Sequence, residues 1–152
     1  MGRETLTVRL GGLSALPRSA RKPTLISAAV KRAFALEKSR RAGEVAVIFV
    51  SRVEMRNLNR QYLGHDYDTD VVTFEHEGCP GVPLEETPIG DIFISSWMAR
   101  RQARELGHAV LTEVLTLCAH GALHLLGHED HSPRKKARMF KVQDRVLAGL
   151  SS

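Results

Sequence analysis

Apolar and polar residues alternate through Leu6-Thr7-Val8-Arg9-Leu10, the pattern of a strand buried on one face, and Gly11-Gly12 ends it. After Pro23, the apolar residues Ile26, Val30, Ala33 and Phe34 recur at helical spacing, with Lys31, Arg32 and Lys38 on other faces. That predicts an amphipathic helix over about 24–40, closed off by Gly43. Val45-Ala46-Val47-Ile48-Phe49-Val50 is continuously apolar and rich in branched side chains, as a strand buried on both faces must be. Strand, helix and strand in that order predict a crossover between parallel neighbours.

A short helix is expected from Val53 to Tyr62, with Met55, Leu58 and Tyr62 turned inward, followed by a polar loop over 63–68 that could wall a site. Further strands are expected at 70–75 and 90–95, separated by the Gly- and Pro-containing stretch Gly78 to Pro88. The remainder reads as helix. Trp97 to Leu106 is stopped by Gly107, and the strongly apolar run from His108 or Ala109 to Leu126 is stopped by Gly127. A last helix opens at Ser132-Pro133, a favoured cap and first position, with Met139, Phe140, Val142, Val146 and Leu147 facing inward. Together these elements predict a single α+β domain over residues 1–152: a small mixed sheet of about four strands, packed with about five helices.

Composition sharpens this picture. Apolar residues make up 43% of the chain but aromatics only 5%, so the core is aliphatic and the chain is neither disordered nor fibrous. No run approaches the roughly 18–20 apolar residues that span a bilayer. The N-terminal MGRETLTVRL lacks the apolar stretch of a secretory signal, so a cytoplasmic protein with no membrane partner is expected. Cys79 and Cys118 lie far apart and form no CxxC pair, which argues against a disulfide scaffold and a thiolate zinc site. Any metal would fall to histidine and carboxylate.

Charge is unevenly spread. Residues 1–41 carry ten basic and two acidic side chains, residues 42–96 three and ten, and residues 97–152 nine and five. Basic flanks around an acidic middle suit a protein that docks a polyanion on one surface. Runs such as Lys38-Ser39-Arg40-Arg41 and Arg134-Lys135-Lys136 read equally well as solvated helix faces.

Four of the seven histidines fall between His120 and His131. His120 and His124 are four apart, so on one helix face their imidazoles can converge on a single ion. Gly127 then breaks the helix and lets the chain return a third ligand, Asp130 or His131. Three protein ligands leave a fourth position open, the arrangement of a catalytic rather than a structural zinc site. A zinc metalloprotease would carry a Glu directly after the first histidine; Gly121 stands there, so peptide hydrolysis lacks its base.

The segment His120-Gly121-Ala122-Leu123-His124-Leu125-Leu126-Gly127, followed shortly by Asp and His, resembles the signature of the YbeY family of bacterial endoribonucleases. The resemblance runs from about residue 44 to 145. It takes in Met55 to Tyr62, Asp68-Thr69-Asp70-Val71-Val72-Thr73-Phe74, Gly90 to Ser95, and Gln102 to His108. The family's spacing from the second histidine lands its third ligand on Asp130, with His131 the rival one residue later. A second departure is Leu63, where the family commonly has an Arg implicated in ribonuclease activity; a rigid bidentate phosphate donor is therefore missing. Arg56, Arg60 or His65 could substitute for it.

The resemblance implies a single-strand-specific, zinc-dependent endoribonuclease. Its implied work is maturation of the 3′ end of small-subunit ribosomal RNA and ribosome quality control. Ribosomal RNA and ribosomal, notably small-subunit, proteins would be its partners, and DNA would not. Basic side chains in 18–41 and 100–104 are candidates for tracking an RNA backbone, while the scarcity of aromatics leaves base stacking a small part. The competing readings are a metal-stabilised ribosome-assembly factor that cuts nothing, which Leu63 favours, and a hydrolase of another substrate. Of the remaining polar residues, His65, His76 and His108 read as surface residues or supports of the site, and His128 as a packing ring. Cys118 reads as core, and Thr69, Asp70 and Asp91 as strand-end caps. Glu113, two turns before His120, is either a buried partner of the site or an ordinary helix carboxylate.

Overall fold

The computed structural model describes residues 6–76, 81 and 87–150. Four strands, β1 (Leu6–Gly11), β2 (Gly43–Val50), β3 (Val71–Glu75) and β4 (Pro88–Ser95), form one sheet in the order β1-β2-β4-β3. β2 runs parallel to both β1 and β4, and β3 is an antiparallel edge strand. Among the described residues five α-helices pack around it: α1 (Pro23–Leu36), α2 (Arg52–Leu58), α3 (Ser96–Leu106), α4 (Val110–Leu125) and α5 (Pro133–Ala148). The mixed four-stranded α+β architecture is the one expected, and β1-α1-β2 is the expected crossover. Most of the Gly78 to Pro88 stretch lies outside the described residues, and β4 already begins at Pro88. Among the described residues no single helix is long and apolar enough to cross a membrane.

Three local outcomes differ from the pattern-based expectation. α1 stops at Leu36 rather than near residue 40, because Lys38 takes a left-handed φ of 55° and the amides of Lys38 and Ser39 turn back to the carbonyls of Ala35 and Phe34. Gly43, with φ 135°, does not close that unit but opens β2. The second helix begins at Arg52 behind a Ser51–Glu54 capping box and ends at Leu58. A wider, π-helical turn over Asn59–Leu63 follows. The extra residue in that turn rotates Tyr62 outward to 59% exposure, and Asn59 takes the buried position instead.

α4 is the central helix. Val114, Leu117, Cys118, Ala119, Gly121, Ala122, Leu123 and Leu125 are all buried, with the sheet on one side and α1, α3 and α5 on the others. Its close approach to the sheet depends on Gly121: a Cβ there would lie 2.6 Å from Cγ2 of Ile92 in β4. The position after His120 therefore cannot hold the glutamate of a metalloprotease, which would be driven into the core. α5 opens with the Ser132 hydroxyl accepting from the Lys135 amide and with Pro133 at its first turn. Met139 and Val146 are fully buried as expected, but Phe140 is 38% exposed and the inward place goes to the polar Gln143. There the Gln143 amide oxygen faces His120 Nδ1 at 3.0 Å.

Candidate metal centre

His120 and His124 project from the last turns of α4, half-buried, with their Nε2 atoms 3.0 Å apart. Each ring is fixed from behind. His124 Nδ1 lies 3.1 Å from the carbonyl oxygen of His128, and His120 Nδ1 lies 3.0 Å from Gln143 Oε1. A carbonyl oxygen only accepts, so both imidazoles carry their proton on Nδ1 and present an Nε2 lone pair to each other. Two acceptors at that distance repel, and a cation between them removes the repulsion. Asp130 completes the group: one ligand atom from each of His120, His124 and Asp130 lies within 4.8 Å of the others. Asp130 Oδ2 is 4.0 Å from His120 Nε2. The donor set, its tautomers and its spacing fit a divalent ion such as zinc. His131 is exposed and lies outside this group.

Burial, with the neighbouring His120 adding to it, holds the His124 pKa below the ordinary imidazole value. A neutral, lone-pair-bearing ligand at neutral pH is the result. Gly127, at φ 96°, ends α4 and turns the chain so that His128 and Asp130 come back toward the histidines. Both sides of this turn are tied down. The His128 ring pairs with the Glu37 carboxylate at the end of α1, and Lys135 Nζ donates to Glu129 at 2.8 Å.

The other candidate residues sit elsewhere. Glu113 is buried, but its carboxylate meets His108 Nε2 at 2.8 Å at the opposite end of α4, so it supports that helix start. Cys118 is core, and burial pushes its thiol far up from the ordinary value. His76 pairs with Asp91 at 2.8 Å. Asp70 accepts from the Val71 amide and from Gln102, and the Thr69 hydroxyl accepts from Asn59. Arg56 of α2 and Arg60 of the π turn both reach Asp66, and His65 stacks on Tyr67 in the exposed loop before β3. Leu63 is exposed among them. Sequence reasoning missed Gln143 and Glu37. The only signal for Gln143 was a polar residue four after Met139 and three before Val146, on a face otherwise apolar; for Glu37 there was none.

A four-stranded mixed sheet with two half-buried histidines and an exposed carboxylate grouped at the end of its central helix defines a small protein with a candidate metal centre. The family model described as endoribonuclease YbeY matches residues 17–151, and the chain belongs to that family of RNA-cutting enzymes. It is 38% identical over 132 residues to the endoribonuclease YbeY of Elusimicrobium minutum, covering 87% of this chain and 91% of that one. Against the endoribonuclease YbeY of Lysinibacillus sphaericus it is 36% identical over 135 residues, covering 85% and 86%. Among solved structures, the solution structure of TM1509 from Thermotoga maritima matches with a TM-score of 0.59 and 25% identity, over 93% of this chain and 87% of that one.

Proposed function

We propose that this chain is a metal-dependent endoribonuclease specific for single-stranded RNA, working in the cytoplasm on ribosomal RNA at the 3′ end of the small-subunit RNA and in ribosome quality control. Ribosomal, notably small-subunit, proteins are its proposed partners. The observation that carries the reading is the facing pair of His120 and His124 Nε2 atoms with Asp130 beside them, in a chain of an RNA-cutting family. His120, His124 and Asp130 are the proposed ligands and zinc the proposed ion, which when bound supplies Lewis acidity at a phosphodiester and acidifies water. Gln143 and the His128 carbonyl hold the two rings in the ligating tautomer. With Leu63 apolar, Arg56 and Arg60, and His65 after them, are the groups proposed to meet the phosphate charge.

Leu63 favours one second reading, a ribosome-assembly factor that binds RNA without cutting it. The deciding experiment is cleavage of a single-stranded RNA, with metal content quantified, by wild type and by His124→Ala, Asp130→Ala and His131→Ala. Cleavage by wild type and its loss in the His124 variant, together with metal, support the enzyme. Loss of both in the Asp130 variant with retention in the His131 variant supports the ligand set. RNA bound but left intact by metal-loaded wild type supports the assembly factor.

A further inference from the structure

The chain's only two tyrosines, Tyr62 and Tyr67, lie five residues apart on the turn and loop between α2 and β3, and both are mostly solvent-exposed, at 59% and 54%. An exposed tyrosine is unremarkable alone; a concentration of them on one braced loop is a different matter. His65 lies parallel to Tyr67, with ring centroids 4.9 Å apart and 17° between planes, and the Tyr67 hydroxyl is 2.9 Å from His65 Nδ1. Tyr62 meets Phe74 of β3 edge-on at 5.6 Å. The Phe74 carbonyl in turn lies with the Leu125 side chain against Gly90, and Leu125 directly follows His124. Phe74 packs with Val50, Met55 and Val72 on the α2 face of the sheet and Leu125 packs on the α4 face, so the sheet edge lies between the aromatic loop and the end of α4.

The loop is held rigidly for so exposed a segment. Asn59 donates to the Tyr67 carbonyl at 2.9 Å and to Thr69 at 2.8 Å. Arg56 and Arg60 grip Asp66, and Arg52 makes a two-pronged contact with Asp68 while its guanidinium lies 3.9 Å over the Trp97 ring. Fixing the backbone beforehand lowers the entropy cost of seating a ligand on the rings. Flat, exposed aromatic faces are what stacks unpaired nucleobases with no preference for sequence.

We propose that Tyr67, with His65 beneath it, and Tyr62 form a platform on which bases of single-stranded RNA stack. The proposal rests on the endoribonuclease reading and adds to it a base-contacting site. Aromatics are scarce in this chain, and the proposed platform gathers both of its tyrosines.

The test compares wild type, Tyr67→Ala, Tyr67→Phe and Tyr62→Ala for binding, by fluorescence anisotropy, to an unstructured RNA strand and to a matched strand of abasic residues. Strand integrity is checked in each run. Each alanine variant is expected to bind the intact strand about ten-fold more weakly, a loss typical of one base–aromatic stack, while Tyr67→Phe binds as wild type and the abasic strand shows no difference among proteins. Tyr67→Ala binding like wild type, or losing equally on the abasic strand, overturns the platform while leaving the endoribonuclease reading intact; the exposed patch is then a protein-facing surface. Wild type that binds neither strand overturns both.

Discussion

Glu37 and His128 lie ninety-one residues apart in sequence and meet as a carboxylate–imidazole pair, while the carbonyl of that same His128 orients the ring of His124. The end of α1 therefore supports the candidate metal centre through one intermediary. Glu37→Ala would leave the mostly buried His128 ring unpaired and free the 127–131 turn. We expect metal affinity, read by competition with a chelating dye, to fall by up to about ten-fold, at the low end for loss of an outer hydrogen-bond partner. Unchanged affinity would mean that the turn holds its shape without Glu37.

Gln143→Leu keeps side-chain volume but removes the acceptor for His120 Nδ1. Metal affinity should drop about 10–100-fold, with little change in the unfolding midpoint of the metal-free protein. A large loss of metal-free stability would instead assign Gln143 to packing.

Gly121→Ala brings a Cβ against a branched side chain of a central strand, at 2.6 Å from Ile92 Cγ2. The overpacking should cost about 1–3 kcal/mol, only partly offset by the roughly 1 kcal/mol that alanine gains over glycine in a helix. Urea denaturation measures the balance. The double variant Gly121→Ala/Ile92→Leu, which removes the crowding β-branch methyl Cγ2 while keeping side-chain volume, should recover part of it.

The hydrogen bond from Arg52 holds the Asp68 carboxyl below the usual carboxylate range. A folded-state value below the unfolded one means that the pair stabilises the fold above about pH 4 and that this contribution disappears as pH falls through the folded value. Asp68→Asn should therefore melt below wild type at neutral pH, with the gap in thermal midpoint narrowing on acidification below about pH 4. A gap independent of pH would rule out the ion pair as its cause.

Much of this molecule was legible from its sequence because its signals are local. Period-two and apolar runs placed all four strands, the Ser-Pro start placed α5, and the i,i+4 histidines with a glycine break pointed to the side-chain group that could hold a metal. What escaped was non-local or depended on one added residue. The π turn at Asn59–Leu63 shifts the helical phase, so period counting put Tyr62 inside when it is outside. Gln143 occupies a core position because His120 needs an acceptor, a demand made from another helix. Glu37 sat near the end of a helix expected to continue, where nothing in spacing marks a partner for His128.

Trp97, the chain's lone indole, lies beneath the Arg52 guanidinium that also grips Asp68, with a second guanidinium, Arg101, 5.4 Å away. The consequence is optical. Excitation selective for tryptophan reads one location, the joint where α2, α3 and the aromatic loop are pinned together. A displacement of the loop that drew Arg52 along with Asp68 would change the charge over the ring and move the emission, which would make Trp97 a label-free gauge of that loop.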